Sequence, residues 1–77
     1  MKRDMNIDLQ TNLIEKMIRI RKKRGISQEE LSKMCGIKQS SIARMEKMNH
    51  VPRINTLLKL LIPLGYKLDI VPIAKAL

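Results

Sequence analysis

The chain is poor in the residues that staple or thicken a small fold. Cys35 is its single cysteine, so no disulfide can close within it, and its single aromatic residue is Tyr66. With one Cys and one His, a four-ligand zinc site cannot be assembled. No apolar run approaches the ~20 residues of a membrane span, and the opening MKRDMNIDLQ is too polar for a secretion signal. These absences lead to the expectation of a reducing, cytoplasmic setting. Gly-rich phosphate cradles and carboxylate pairs on one face are missing too, so no enzyme, metal or cofactor is expected. Acidic residues are also scarce. Seven Asp and Glu stand against 16 Lys and Arg, a formal charge of +9. In 77 residues that excess favours a polyanionic partner, most often nucleic acid. A chain this short builds one domain with a thin core, and association with a second copy would help it.

The basic residues are concentrated in the first two thirds. Arg19, Arg21, Lys22, Lys23 and Arg24 crowd one stretch, followed by Lys33, Lys38, Arg44, Lys47 and Arg53. This portion reads as the ligand side and the remainder as packing and assembly. Apolar residues at helical spacing, Leu9, Leu13, Met17 and Ile20, predict a first helix from Leu9 to Arg24, stopped by Gly25. Ser27 stands three residues before Glu30, the arrangement of a capping box, and predicts a second helix from Gln28 to about Cys35. Ile42 and Met45 place a stripe on a third helix, about Gln39 to Lys47. Leu57, Leu58, Leu60, Leu61 and Leu64 form a fourth, which Pro63 and Gly65 end.

The tail YKLDIVPI, Tyr66 to Ile73, alternates polar and apolar residues and carries β-branched side chains, so it predicts a short strand. Nothing else in the chain could pair with it. The same strand of a second copy would satisfy its backbone groups, which predicts a homodimer through Leu68, Ile70 and Val71. Three segments result: a flexible 1–8, a DNA-binding unit 9–65 and a dimerisation tail 66–77.

Two short helices joined by a turn at Gly36 form a helix-turn-helix, in which a positive φ at the glycine aims the second helix outward. The stretch RKKRGISQEELSKMCGIKQSSIARMEK, with the later P…INTLLKLLIPLG, resembles the Cro/repressor-type, XRE-like helix-turn-helix proteins from about Leu13 to Leu64. The glycine before helix two, the Ser-Gln start, the Glu-Leu step, the turn glycine and the Ile-x-x-x-Glu of helix three all fall in register. GIKQSSIARME followed by a leucine-rich helix and a β-like tail is most similar to small antitoxins of the HipB and HigA kinds. That resemblance implies an all-α, four- to five-helix lambda-repressor-like domain, dimeric through its tail. It also implies binding to palindromic operators of its own operon and a toxin partner.

Residue by residue, the resemblance implies a phosphate contact for Gln28 and base contacts for Lys38, Gln39, Ser40 and Arg44. The chemistry agrees, since Gln pairs with adenine, Arg or Lys with guanine, and Ser with either. Lys47 and Arg53 suit a second phosphate clamp. Arg21 and Glu46 match positions that form an ion pair between helices one and three in phage repressors of this family. One departure stands out: Met48 occupies a position where the family usually has glycine, so the left-handed residue is expected to shift to Asn49. Three function classes follow: a dimeric repressor, a chiefly toxin-neutralising module, or a basic helix lying on an anionic membrane through Arg19 to Arg24. A stand-alone phage-type or metabolic repressor is a variant of the first. The third leaves the pattern from Ser27 to Lys47 unexplained.

Overall fold

The structure, a computed structural model, describes residues 5–73, with side chains from Leu9 onward. It holds four helices: α1 Met5–Lys23, α2 Gln28–Cys35, α3 Gln39–Glu46 and α4 Ile54–Leu61. Helix α1 starts earlier than the apolar stripe requires. No Pro or Gly interrupts residues 5–8, and an established helix extends into neighbouring sequence at little cost. The expected flexible segment is therefore helical from Met5, and its residues 1–4 lie outside the described residues, as do residues 74–77 of the tail. Helix α4 likewise begins before Leu57, directly after Pro52 and Arg53. Pro63 then falls in the closing turns, where its missing N–H leaves no gap in the helical ladder.

The core is a single cluster with contributions from every helix. Ile14 and Met17 come from α1, Leu31 from α2, Ile42 and Met45 from α3, and Leu57, Leu60 and Leu61 from α4, with Leu64 just beyond. Arg21 lies one turn past Met17 on the same buried face, so the helix carries a charged group into the interior.

The turns show how the helices are aimed. Ser27 Oγ accepts the Glu30 N–H and Glu30 Oε1 accepts the Ser27 N–H, both at 3.0 Å, so the capping box closes. Gly36 has φ +75°, and a Cβ built there would meet nothing within 4 Å. Backbone conformation, rather than lack of space, reserves that position for glycine. Across the same turn the Ser32 hydroxyl donates to the Ile37 carbonyl at 2.5 Å, fixing the start of α3.

After α3 the left-handed residue is Met48, φ +62°, and not Asn49. The hydrogen bonds explain why: Met48 N–H reaches Met45 O and Asn49 N–H reaches Arg44 O, the paired closure that puts the left-handed residue second after the last helical one. The end of α3 at Glu46 therefore dictates the position, and the side chain found there must tolerate it.

Among the described residues there is no strand. Residues 66–73 carry no regular hydrogen bonding, because a single chain offers no second strand to complete a ladder. Leu68 packs against the core, while Ile70, Val71 and Ile73 are exposed.

Candidate nucleic-acid interface

Helix α3 is amphipathic, with one side packed and the other exposed. Ile42 and Met45 are buried, whereas Lys38, Gln39, Ser40 and Arg44 are all exposed on the outward side. At its N-terminus Lys38 makes no side-chain cap, and the first backbone bonds to its carbonyl come from Ser41 and Ile42. The amides of Gln39 and Ser40 thus meet no capping side chain, and the positive end of the helix faces outward with Lys38 beside it. Helix α4 is also without a side-chain cap at Arg53, which is exposed. Lys47, at the end of α3, is exposed as well.

The inner end of α3 is tied down by one carboxylate. Glu46 Oε2 accepts Arg21 Nε at 2.8 Å, and Glu46 Oε1 accepts Arg21 Nη2 at 2.9 Å, a bidentate pair joining α1 to α3. Arg21 Nη1 donates to the Ile26 carbonyl at 2.7 Å, in the turn that leads into α2. Both side chains of the pair are about nine-tenths buried, at 8% exposure each. In such surroundings a planar guanidinium with its donors spent on a carboxylate and a carbonyl is one of the few ways to bury an arginine.

A third donor completes the junction. Gln28 Nε2 donates to Glu46 Oε1 at 2.8 Å, so the first residue of α2 is joined to the last of α3. Gln28 is therefore a half-buried, oriented side chain and not a free surface amide. The family resemblance implied the pairing of Arg21 with Glu46 but not this bond. The partners lie 18 positions apart, and no local spacing rule connects them.

Lys22, Lys23, Lys33 and Lys38 are exposed. The carboxyl of Glu30 is held below its ordinary value, first by the Ser27 backbone N–H and then by the Ser27 hydroxyl. His50, with Val51 and Pro52, lines grooves of 260 and 290 Å³ beside the loop after α3. Among the described residues no group of His, Cys, Asp and Glu is placed to hold a metal ion. Among the same residues no helix is long and apolar enough to cross a membrane.

Comparison with known proteins agrees with this arrangement. A helix-turn-helix family model matches residues 17–71. The chain is 48% identical over 66 residues to an uncharacterized HTH-type transcriptional regulator of Haemophilus influenzae, a match covering 86% of this chain and 67% of that protein. Among solved structures, a chain of the "Toxin-Antitoxin module from Streptococcus pneumoniae" superposes with a TM-score of 0.74 at 38% identity, covering 90% of this chain and 77% of that one. The chain belongs to the XRE-type helix-turn-helix family of DNA-binding transcriptional regulators.

Proposed function

We propose that the protein is a dimeric, sequence-specific repressor that binds a palindromic operator and serves as the antitoxin of a toxin–antitoxin pair, regulating its own operon. The observation that carries the DNA reading is α3: a short helix buried along one side, uncapped at its positive end and presenting Lys38, Gln39, Ser40 and Arg44 outward. Such a helix fits a major groove with its N-terminal residues toward base edges. Gln39 and Arg44 read bases, with each bidentate pair contributing about 1 to 3 kcal/mol of discrimination. Gln28, steadied by Glu46, and the exposed Lys47 and Arg53 bind phosphates and set the register.

Dimerisation through the tail supports a two-fold operator. Leu68, Ile70 and Val71 carry the contact, and backbone groups of the tail that form no regular ladder within the chain supply the hydrogen bonds. The toxin partner rests on the likeness to the Streptococcus pneumoniae toxin–antitoxin module. A protein that neutralises its toxin while binding DNA only secondarily is the second reading, favoured by the same likeness.

The test is a titration of the protein against its own upstream DNA and a scrambled duplex over a range of salt. Affinity should fall steeply as salt rises. Gln39→Ala and Arg44→Ala should erode the preference between duplexes, and Gln28→Ala should weaken both alike. Equal losses from all three on both duplexes would mean that no base is read.

A further inference from the structure

Helix α3 is held at its last residue by the Glu46 junction, and a different bond holds its other end. The Ser32 hydroxyl donates to the Ile37 carbonyl at 2.5 Å. We propose that Ser32 is a positioning residue for DNA recognition: it sets the outer end of α3, and with it the contact that Gln39 makes to a base. The inference rests on the role of α3 proposed above and adds a residue of α2 that acts through the turn.

The bond is not the one a helical serine makes by default. A serine inside a helix usually turns its hydroxyl back to a carbonyl three or four positions earlier. Ser32 instead reaches forward to Ile37, out of α2 and across Gly36. Its own carbonyl accepts the Gly36 N–H at 2.9 Å, so one residue both closes α2 and engages the start of α3. The Ile37 carbonyl stands just before the Lys38 N-cap, where the ladder of α3 supplies no donor for it. Lys38 makes no side-chain cap, so α3 lacks the local lock that Ser27 and Glu30 give α2. The turn itself offers little resistance. Gly36 is in the left-handed region at φ +75°, with nothing within 4 Å of where a Cβ would be, so no neighbouring atom blocks a small rotation. Ile37 packs its side chain against the core, but apolar contact is non-directional. The hydroxyl bond supplies the direction.

The two ends of α3 respond differently to its loss. Glu46 is fixed by Arg21 and Gln28, which makes that end the pivot. The 8 residues of α3 span about 12 Å, so a tilt of about 5° moves the far end by about 1 Å. Hydrogen-bond distances vary over only about 0.5 Å. Gln39 is the first residue of the helix, whereas Arg44 lies close to Glu46 at the pivot. A tilt that breaks a bidentate contact from Gln39 therefore leaves Arg44 almost in place. Ser32 acts on one part of the operator and not on the whole of it.

The experiment is a double-mutant cycle on the ratio of affinities for the protein's own upstream DNA and a scrambled duplex. Ser32→Ala, Gln39→Ala, Arg44→Ala and the two double variants containing Ser32→Ala are compared at one salt concentration. Alanine favours helix, and circular dichroism with a thermal melt establishes that each variant is folded at the assay temperature. Ser32→Ala should lower the ratio about fivefold, the lower end of what one bidentate base contact contributes. In the Gln39→Ala background the same change should add less than about twofold, and in the Arg44→Ala background it should keep its full effect, since independent changes add to within about that margin. An unchanged ratio for Ser32→Ala, a loss equal on both duplexes, or the same loss of ratio in every background would overturn the inference while the role of α3 stands. A parent chain with no preference between the duplexes, or one whose preference survives Gln39→Ala undiminished, would remove that role and the inference together.

Discussion

Replacement of Glu46 by glutamine tests whether one buried carboxylate sets the angle of α3. Glu46 accepts three bonds, from Arg21 Nε at 2.8 Å, Arg21 Nη2 at 2.9 Å and Gln28 Nε2 at 2.8 Å. An amide has a single acceptor oxygen, so whichever way it turns, its N–H₂ group meets a donor that was previously bonded. At least one charge-assisted bond is lost, worth about 1.5 to 3 kcal/mol, and a buried guanidinium loses its counter-charge. Arg21 keeps its bond to the Ile26 carbonyl, which limits the damage. The expected loss for Glu46→Gln is about 2 to 3 kcal/mol, and truncation to alanine should approach the 3 to 5 kcal/mol typical of a broken buried pair. In urea, with a slope of about 1 to 2 kcal/mol per molar for a chain this small, the midpoint should fall by roughly 1 to 3 M. All variants must be compared at one protomer concentration, because association adds to apparent stability. The double replacement Arg21→Met with Glu46→Leu should recover much of the loss, since the cost lies chiefly in stranding a charge. Operator discrimination should still suffer in that double variant, because Gln28 has lost its anchor. If Glu46→Gln changed stability by less than about 0.5 kcal/mol, within ordinary surface-mutation scatter, and left operator preference intact, the junction would have no role in either.

Three other outcomes follow from particular residues. Met48→Gly should stabilise the domain by about 0.5 to 1 kcal/mol. Relief of a left-handed L-residue, worth about 1 to 2 kcal/mol, outweighs the added freedom of the unfolded chain; thermal melts would reveal it, and a lower melting temperature would show that the Met48 side chain contributes more by packing than its φ of +62° costs. Because the folded value of Glu30 is depressed, its capping contribution is present above the ordinary glutamate value of about 4.3 and is lost as pH falls through the lowered folded value. The stability gap between the parent chain and Glu30→Gln should therefore close on acidification below about pH 4, and a gap constant down to pH 2 would contradict the carboxylate's role. For DNA, the slope of log affinity against log salt should be shallower for Lys47→Ala and Arg53→Ala and unchanged for Gln39→Ala, by about 0.9 per phosphate contact removed.

The local pieces of this protein are legible in the sequence because they depend on neighbours a few positions apart. The capping box at Ser27 and Glu30, the glycines after α1 and in the turn, and the stripe of Ile42 and Met45 each follow from short-range backbone geometry and helical spacing. So does the outward set Lys38, Gln39, Ser40 and Arg44, since burial of one side of a short helix leaves the other to solvent. The ends of α1 and α4 were harder, because a helix runs on past the residues that bury it until a turn stops it. The fold alone decided what joins distant positions. That Gln28 reaches Glu46, that Glu46 serves three donors at once, and that the left-handed site stays at Met48 all depend on where α3 stops against α1 and α2, a matter of packing that no window of sequence contains. The tail stands between the two: its alternation is written in the sequence, but a strand exists only once a second one lies beside it.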